Sequence, residues 1–320
     1  MKRLGWIIFL LTLKLWTYSA DMRAVDKYGQ LRVEGTQILA SDGKPVALEG
    51  MSLFWSQWID KYYNYKCLKW LRDDWNCEII RAALAVEHNG YLKKPDDERA
   101  DLDTVVNACL KLGMYVIIDW HSHKAENTTS KAVEFFSEIS KKYGHYPNII
   151  YEIYNEPLKV SWENIVKPYH LTVIEAIRKN DPDNIIILGT PSWSQDVDIA
   201  ADEKVEGDNL AYSLHFYAGT HTQWLRDKAQ IAIDKGLALW VTEFGTCNSD
   251  GNGPIAYEEL ERWFDFMEKN SLSWCNWSVS DKRETSAALL PGASEKGQWQ
   301  ESQLSESGIL IRKKLKEINP

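Results

Sequence analysis

Eight short apolar runs recur along the chain at intervals of 26 to 36 residues, and this rhythm restricts the fold more than any other feature. The runs close near Met51 (PVALEGM), Ala83 (CEIIRAA), Asp119 (MYVIID), Asn155 (IIYEIYN), Gly189 (IIILG), His215 (AYSLH), Glu243 (LALWVTE) and Trp277 (SWCNW). Between them lie stretches 62–75, 101–112, 132–143, 164–178, 222–235 and 257–269, with a closing one at 309–318. Each has apolar residues at three- and four-residue spacing, which predicts amphipathic helices. Breakers follow several of them, at Gly113, Gly144, Pro182 and Gly236. Strands alternating with helices pair in parallel, and eight such units predict a (β/α)8 TIM barrel rather than an open doubly wound sheet. Ahead of the first unit, Leu31–Val33 and Gln37–Leu39 flank Glu34-Gly35 as a short N-terminal β-hairpin that would plug the barrel's bottom. No Pro/Ser/Gly-rich linker interrupts the rhythm, so residues 21–320 are expected to form one domain.

Residues 1–20 (MKRLGWIIFLLTLKLWTYSA) have the layout of a secretory signal peptide. Lys2 and Arg3 make a basic start, Gly5 to Leu13 a short apolar core, and Ser19 and Ala20 supply small residues for cleavage. The apolar core is too short for a membrane span, so a secreted, extracellular chain with no membrane attachment is expected. The formal net charge is −9, and loss of Lys2, Arg3 and Lys14 with the leader takes it to −12. Such a chain has no positive excess to replace counterions, which excludes nucleic acid as a partner and disfavours anionic polymers. The five cysteines, Cys67, Cys77, Cys109, Cys247 and Cys275, show no metal-binding spacing. Cys77, Cys109 and Cys275 lie in apolar stretches as small buried hydrophobes. Asn127-Thr128-Thr129 matches a glycosylation site in a loop, whereas Asn276-Trp277-Ser278 follows an apolar run and is expected to be inaccessible. Fifteen tryptophans exceed what a core needs, because Trp is rarely fully buried. Flat rings paving a cleft would stack on the apolar faces of sugars.

In such a barrel the active site lies at the C-terminal ends of the strands. Those ends carry Arg81 on the second strand, Asp119-Trp120-His121 on the third and Asn155-Glu156-Pro157 on the fourth. They carry His215-Phe216-Tyr217 on the sixth, Glu243-Phe244-Gly245 on the seventh, and Trp274 and Trp277 on the eighth. Glu156 and Glu243 face one rim, and two carboxylates across a cleft are the equipment for glycosidic cleavage. A separation of about 5–5.5 Å gives retention of configuration and about 6.5–9.5 Å gives inversion. A metal pair, the alternative for His121 and His215, lacks a third ligand at a recognisable spacing. Trp240, inside the seventh strand, reads as core.

Ile153-Tyr154-Asn155-Glu156-Pro157 resembles the N-E-P motif of the retaining barrel glycosidases, and Glu243 completes their pair. The ordered set Arg81, His121, Asn155, Glu156, His215, Tyr217, Glu243 and Trp277 resembles glycoside hydrolase family 5 at all eight of its characteristic positions. Gly50-Met51-Ser52, the stretch Trp193 to Val197 and the stretch Asp281 to Leu289 resemble its endo-β-1,4-glucanase (cellulase) subfamily, and the likeness runs over residues 25–318. It implies Glu156 as acid/base and Glu243 as nucleophile. The charge on Glu243 is expected to raise the Glu156 pKa. Arg81 and Tyr217 would hold Glu243 ionised by hydrogen bonds. Asn155 would bind the sugar 2-hydroxyl, and His121 and His215 would orient the carboxylates and bind sugar hydroxyls. Trp277 would form the floor under the sugar on the non-reducing side of the cut, with Lys282 and Glu284 bonding the next sugar out. Trp58 and Trp193 would be outer stacking platforms, on the non-reducing and leaving-group sides. Two positions depart from the bacterial pattern: Phe54 stands where a His is common, and Ala85 where an aromatic residue often follows the strand-two Arg.

The resemblance implies a secreted, monomeric endoglucanase that acts on β-1,4-glucan and takes no metal or organic cofactor. The alternatives are an endo-β-mannanase or other β-glycanase of the same fold, since fold does not set substrate, and a secreted sugar-binding protein with an inactive site. A lectin needs neither Glu156 nor Glu243, which argues against the second.

Overall fold

The computed structural model describes residues 23–320; the expected leader at 1–20 lies outside them. The hairpin is present as β1 (Arg32–Glu34) and β2 (Gln37–Leu39), paired antiparallel. Eight parallel strands follow: β3 (Glu49–Leu53), β4 (Ile79–Ala85), β5 (Tyr115–His121), β6 (Ile149–Glu152), β7 (Ile186–Leu188), β8 (Leu210–Tyr217), β9 (Leu239–Gly245) and β10 (Trp274–Val279). They close into a barrel in the order β3 to β10, with β10 pairing back onto β3. Both faces of each strand are covered, which is why they read as near-continuous apolar runs.

Side chains alternate across a strand, and that period sorts the residues into two environments. Ile80, Ala82, Leu84, Val116, Ile118, Trp120, Tyr212 and Leu214 point outward into the layer beneath the helices. Ile79, Tyr115, Ile117, Ile150, Ile187, Ala211 and Trp240 point inward and form an apolar plug at the barrel's N-terminal end. Leu31 and Ile38 of the hairpin, with Val46 and Leu48, close that plug from below. One step further along the same inward rows stand Arg81, Asp119, Glu152 and Ser213, so the barrel passes from an apolar floor to a charged layer within one residue pair.

The helices match the periodicity, with instructive shifts. The helix expected at 101–112 begins at Pro95, where Asp96, Asp97 and Glu98 complement the N-terminal dipole. It ends at Gly113, whose φ of 68° is a left-handed cap. The helix expected at 164–178 opens with a π-turn, Trp162–Val166, before Lys167–Arg178. Two short helical turns between β7 and β8, Pro191–Ser194 and Val197–Asp202, are too brief to produce a periodic signal. All five cysteines are free and buried. Asn276 is fully buried, as expected for the inaccessible second sequon. Among the described residues no helix is long and apolar enough to cross a membrane.

Candidate active site

The charged layer is organised by Arg81, which points up the barrel axis from β4. Its Nε donates to Glu152 Oε2 at 2.7 Å, its Nη1 to Glu243 Oε2 at 2.8 Å and its Nη2 to Asn155 Oδ1 at 2.6 Å. Asp119 Oδ2 lies 3.0 Å from Nη2 as well. Arg81, Asp119 and Glu152 are wholly buried, so the guanidinium offsets carboxylates that water cannot reach. Tyr217 donates its hydroxyl to Glu243 Oε1 at 2.8 Å, which leaves both oxygens of Glu243 held. Gly245, two residues on, is required by this contact, because a Cβ there would meet the Tyr217 ring at 2.2 Å.

A register shift in β9 adds an essential detail. Ser213 of β8 pairs with Trp240, but His215 pairs with Glu243, so β9 carries one extra residue between them. Such a bulge re-aims side chains. Here it turns both Thr242 and Glu243 into the barrel. Thr242 Oγ1 donates to Glu152 Oε1 at 2.6 Å, and its single proton is thereby used. It must therefore accept from His215 Nε2, 2.7 Å away. That fixes the proton on Nε2 and leaves Nδ1 of a neutral His215 bare, 2.9 Å from Glu156 Oε1. One proton is consequently shared between Glu156 and His215. The other oxygen of Glu156, Oε2, lies 3.1 Å from His123 Nε2.

These contacts set the protonation pattern. Burial pushes the Glu156 carboxyl up, but hydrogen bonds to His123 and His215, and their charge, outweigh it and hold it at about 2. Burial works against the His215 cation, yet its bonding to Glu152 and Glu156 and the charge of Glu243 push it up to about 9. Glu243 is raised, first by burial and then by the charge of Glu156, against Arg81, His215 and Tyr217. The order is the reverse of the sequence expectation that Glu243 would raise Glu156. Two imidazoles on Glu156 decide it, and His123 had no place in that expectation.

One carboxylate oxygen each from Glu156 and Glu243, and one nitrogen of His215, lie within 4.8 Å of one another. Each of the four carboxylate oxygens already has a hydrogen-bond partner in Arg81, Tyr217, His123 or His215, so the cluster is tied together as an ion-pair network.

The remaining expected residues fall into separate groups. His121 contacts neither glutamate by hydrogen bond among the described residues. It lies two residues beyond Asp119 on the same inward row of β5 and bonds Asp119 at 2.5 Å, which corrects its expected role in orienting the carboxylates. Its ring stacks on Trp277 at 5.4 Å with a 5° interplanar angle. Asn155 keeps its Nδ2 buried without a protein partner, a donor available to a ligand hydroxyl. Phe54 brings the non-reducing-side candidates together: its ring lies 5.1 Å from Trp277, 6.3 Å from Trp58 and 5.1 Å from Lys282 Nζ. Lys282 in turn pairs with Glu284 at 2.6 Å. Ala85 joins Phe54, Trp55 and Trp277 in one apolar cluster, so both departures from the bacterial pattern fall in the same patch. Trp58 is 56% exposed. Trp193, 38% exposed, belongs to none of these contacts and stands beside Lys159, whose Nζ lies 5.7 Å from its ring centroid. Sequence reasoning missed His123, Glu152, Ser213 and Thr242. Of these only His123 left a visible signal, the His-x-His spacing from His121.

Comparison with known proteins places this geometry. The family profile "Cellulase (glycosyl hydrolase family 5)" matches residues 39–283. An endoglucanase of Clostridium saccharobutylicum is 46% identical over 303 residues, covering 93% of this chain and 68% of that protein. A solved structure from Cytophaga hutchinsonii is 50% identical with a TM-score of 0.92, covering 92% of this chain and 97% of that one. The catalytic domain of a Thermobifida fusca endoglucanase, solved as a variant in complex with cellotetraose, is 33% identical with a TM-score of 0.88, covering 92% and 99%. The chain spans 63–71% of the length of the curated endoglucanases that match it at 41% identity or more. With a family profile matched across most of the barrel and relatives of this identity, the chain belongs to glycosyl hydrolase family 5, the cellulases, and is a glycoside hydrolase.

Proposed function

We propose that the chain is a secreted, retaining endo-β-1,4-glucanase, with residues 21–320 as one catalytic domain behind the leader, Glu243 as nucleophile and Glu156 as acid/base. The carrying observation is the approach of the two carboxylates, whose nearest oxygens lie within 4.8 Å. An approach this close supports direct attack by one carboxylate over a water seated between the two. Glu243, gripped by Arg81 and Tyr217, attacks the anomeric carbon as the glycosidic bond breaks. Glu156 delivers a proton to the departing oxygen. Water then enters, loses a proton to Glu156 and displaces Glu243, so two inversions restore the starting configuration. For the first step Glu156 needs the proton that it shares with His215. A sugar chain filling the cleft excludes water and disfavours the separated charges, which drives that proton across the 2.9 Å to the neutral pair. Every group the double displacement needs is a side chain.

The substrate class follows from the lining. Tryptophan rings and a net charge of −9 suit a neutral polysaccharide. Relatives named endoglucanases, and one bound to cellotetraose, support a β-1,4-glucan. A reducing-sugar assay tests this: release from soluble β-1,4-glucan is expected to exceed release from β-mannan, and preference for mannan would overturn the substrate assignment while leaving the chemistry.

The tryptophans differ in what they contribute. Trp277, buried against His121 and Phe54, lies beneath the sugar that distorts in the transition state, so Trp277→Ala is expected to lower kcat. Trp193, exposed on its own turn, holds an outgoing sugar, so Trp193→Ala is expected to raise KM with kcat largely kept. Each stacking contact is worth about 1–3 kcal/mol, or about 5–150-fold. Steady-state kinetics on a defined cello-oligosaccharide decides it; equal effects on KM alone from both would mean the cut is misplaced relative to β10.

A further inference from the structure

Ser192, Trp193 and Ser194 form a run of three non-glycine residues with φ of 58°, 59° and 55°. L-residues visit this left-handed region singly and seldom, because Cβ crowds the following carbonyl. Three in a row persist only where the surroundings over-determine them. Here the surroundings are the segment that carries Glu156. The Trp193 N–H donates to Pro157 O at 2.8 Å and the Ser192 N–H to Leu158 O at 3.1 Å. The Ser194 hydroxyl donates to Asn155 O at 2.8 Å and accepts from the Thr190 N–H at 3.3 Å. The carbonyls of 155, 157 and 158 bracket Glu156 on both sides. Gly189, at the end of β7, lies so close to the same segment that a Cβ would meet Tyr154 O at 2.1 Å and Pro157 Cδ at 3.0 Å. The exposed Trp193 turn and the segment that carries Glu156 are thus parts of one hydrogen-bonded unit.

We propose that Ser194 is a positioning residue for Glu156, and that the left-handed turn it closes ties the sugar platform at Trp193 to the placement of the acid/base. The reasoning rests on Glu156 being the acid/base. Ser194 is fully buried, out of reach of a sugar in the cleft, and acts through the backbone of Asn155. Losing its hydroxyl leaves the Asn155 carbonyl and the Thr190 N–H without that partner and frees the 155–158 segment to drift. A displacement well under 1 Å there lengthens the path of the proton to the departing oxygen, while Glu243, on the opposite wall and held by Arg81 and Tyr217, stays in place.

The test compares leaving groups. Ser194→Ala is assayed on a cello-oligosaccharide, whose sugar leaving group needs protonation, and on dinitrophenyl β-cellobioside, whose phenolate leaves without it. The expected result is a loss of kcat/KM of about tenfold or more on the oligosaccharide and a clearly smaller one, about two- to threefold, on the aryl glycoside, which shares only the Asn155 contact to the sugar 2-hydroxyl. Ser194→Gly removes the same hydroxyl while easing the backbone, and is expected to show the same split; this keeps the test valid if the alanine variant folds poorly. Equal losses on both substrates, or none on either, would overturn the positioning role. Glu156→Ala run in parallel tests the underlying assignment separately: it is expected to keep glycosylation by the aryl glycoside, seen as a burst of dinitrophenolate. Loss of that burst would mean that Glu156 is not the acid, whatever Ser194 does.

Discussion

Glu243→Gln is expected to leave the barrel folded and to lower hydrolysis of β-1,4-glucan by about 10⁴-fold or more, the scale of losing a covalent nucleophile. The amide is nearly isosteric, but only its oxygen can still accept, from Arg81 or from Tyr217, so the side chain keeps its shape while losing the attacking charge and one of its two hydrogen bonds. Glu156→Gln is expected to cost about 10²–10⁴-fold, the range for a positioned acid/base. Binding of cello-oligosaccharide should persist in both, because each carboxylate acts on the transition state more than on the ground state. Assays of turnover beside calorimetric binding check it. Near wild-type turnover in either variant would show that the carboxylates are wrongly assigned.

Arg81→Met is expected to produce the largest loss of stability of any single substitution in the site. The guanidinium offsets Asp119, Glu152 and Glu243 at 2.7–3.0 Å in a layer with almost no solvent exposure. Removing it leaves buried carboxylates uncompensated, a destabilisation of about 3–5 kcal/mol. Asp119 is already raised by burial and by Glu152 and Glu243, against Arg81, so without the guanidinium it takes up a proton more readily still. Arg81→Lys keeps a charge but not the fork that reaches three carboxylates and Asn155, and is expected to fall between wild type and Arg81→Met. Urea unfolding followed by circular dichroism measures both. A midpoint unchanged in Arg81→Met would mean the buried layer is not held by this charge.

The barrel was legible in the sequence because eight apolar runs alternate with amphipathic stretches, and the ends of six of those runs carry polar or aromatic residues delivered to one rim. Arg81, Glu156, His215, Tyr217 and Glu243 meet as their positions imply. What the spacing could not convey comes from departures from regular geometry. Strict alternation with Glu243 facing inward would turn Thr242 outward, and only the β9 bulge brings it to Glu152 and His215. His123 lies past the end of β5, where no strand period applies, yet with His215 it helps hold the Glu156 carboxyl low. His121 follows alternation and is claimed by Asp119 on its own row. The turn at 192–194 is invisible for a different reason: serine and tryptophan give no hint of a left-handed backbone, which the contacts with 155–158 impose.

The stereochemical course tests the central claim most directly. Proton NMR of a cello-oligosaccharide digest, recorded before mutarotation, reads the anomer released at the cut. With Glu243 attacking and water returning on the face the leaving group vacated, the β-anomer is expected first and the α-anomer only as the sugar equilibrates. Early α-anomer would contradict the account, because a base-activated water, and not Glu243, would then have attacked the anomeric carbon.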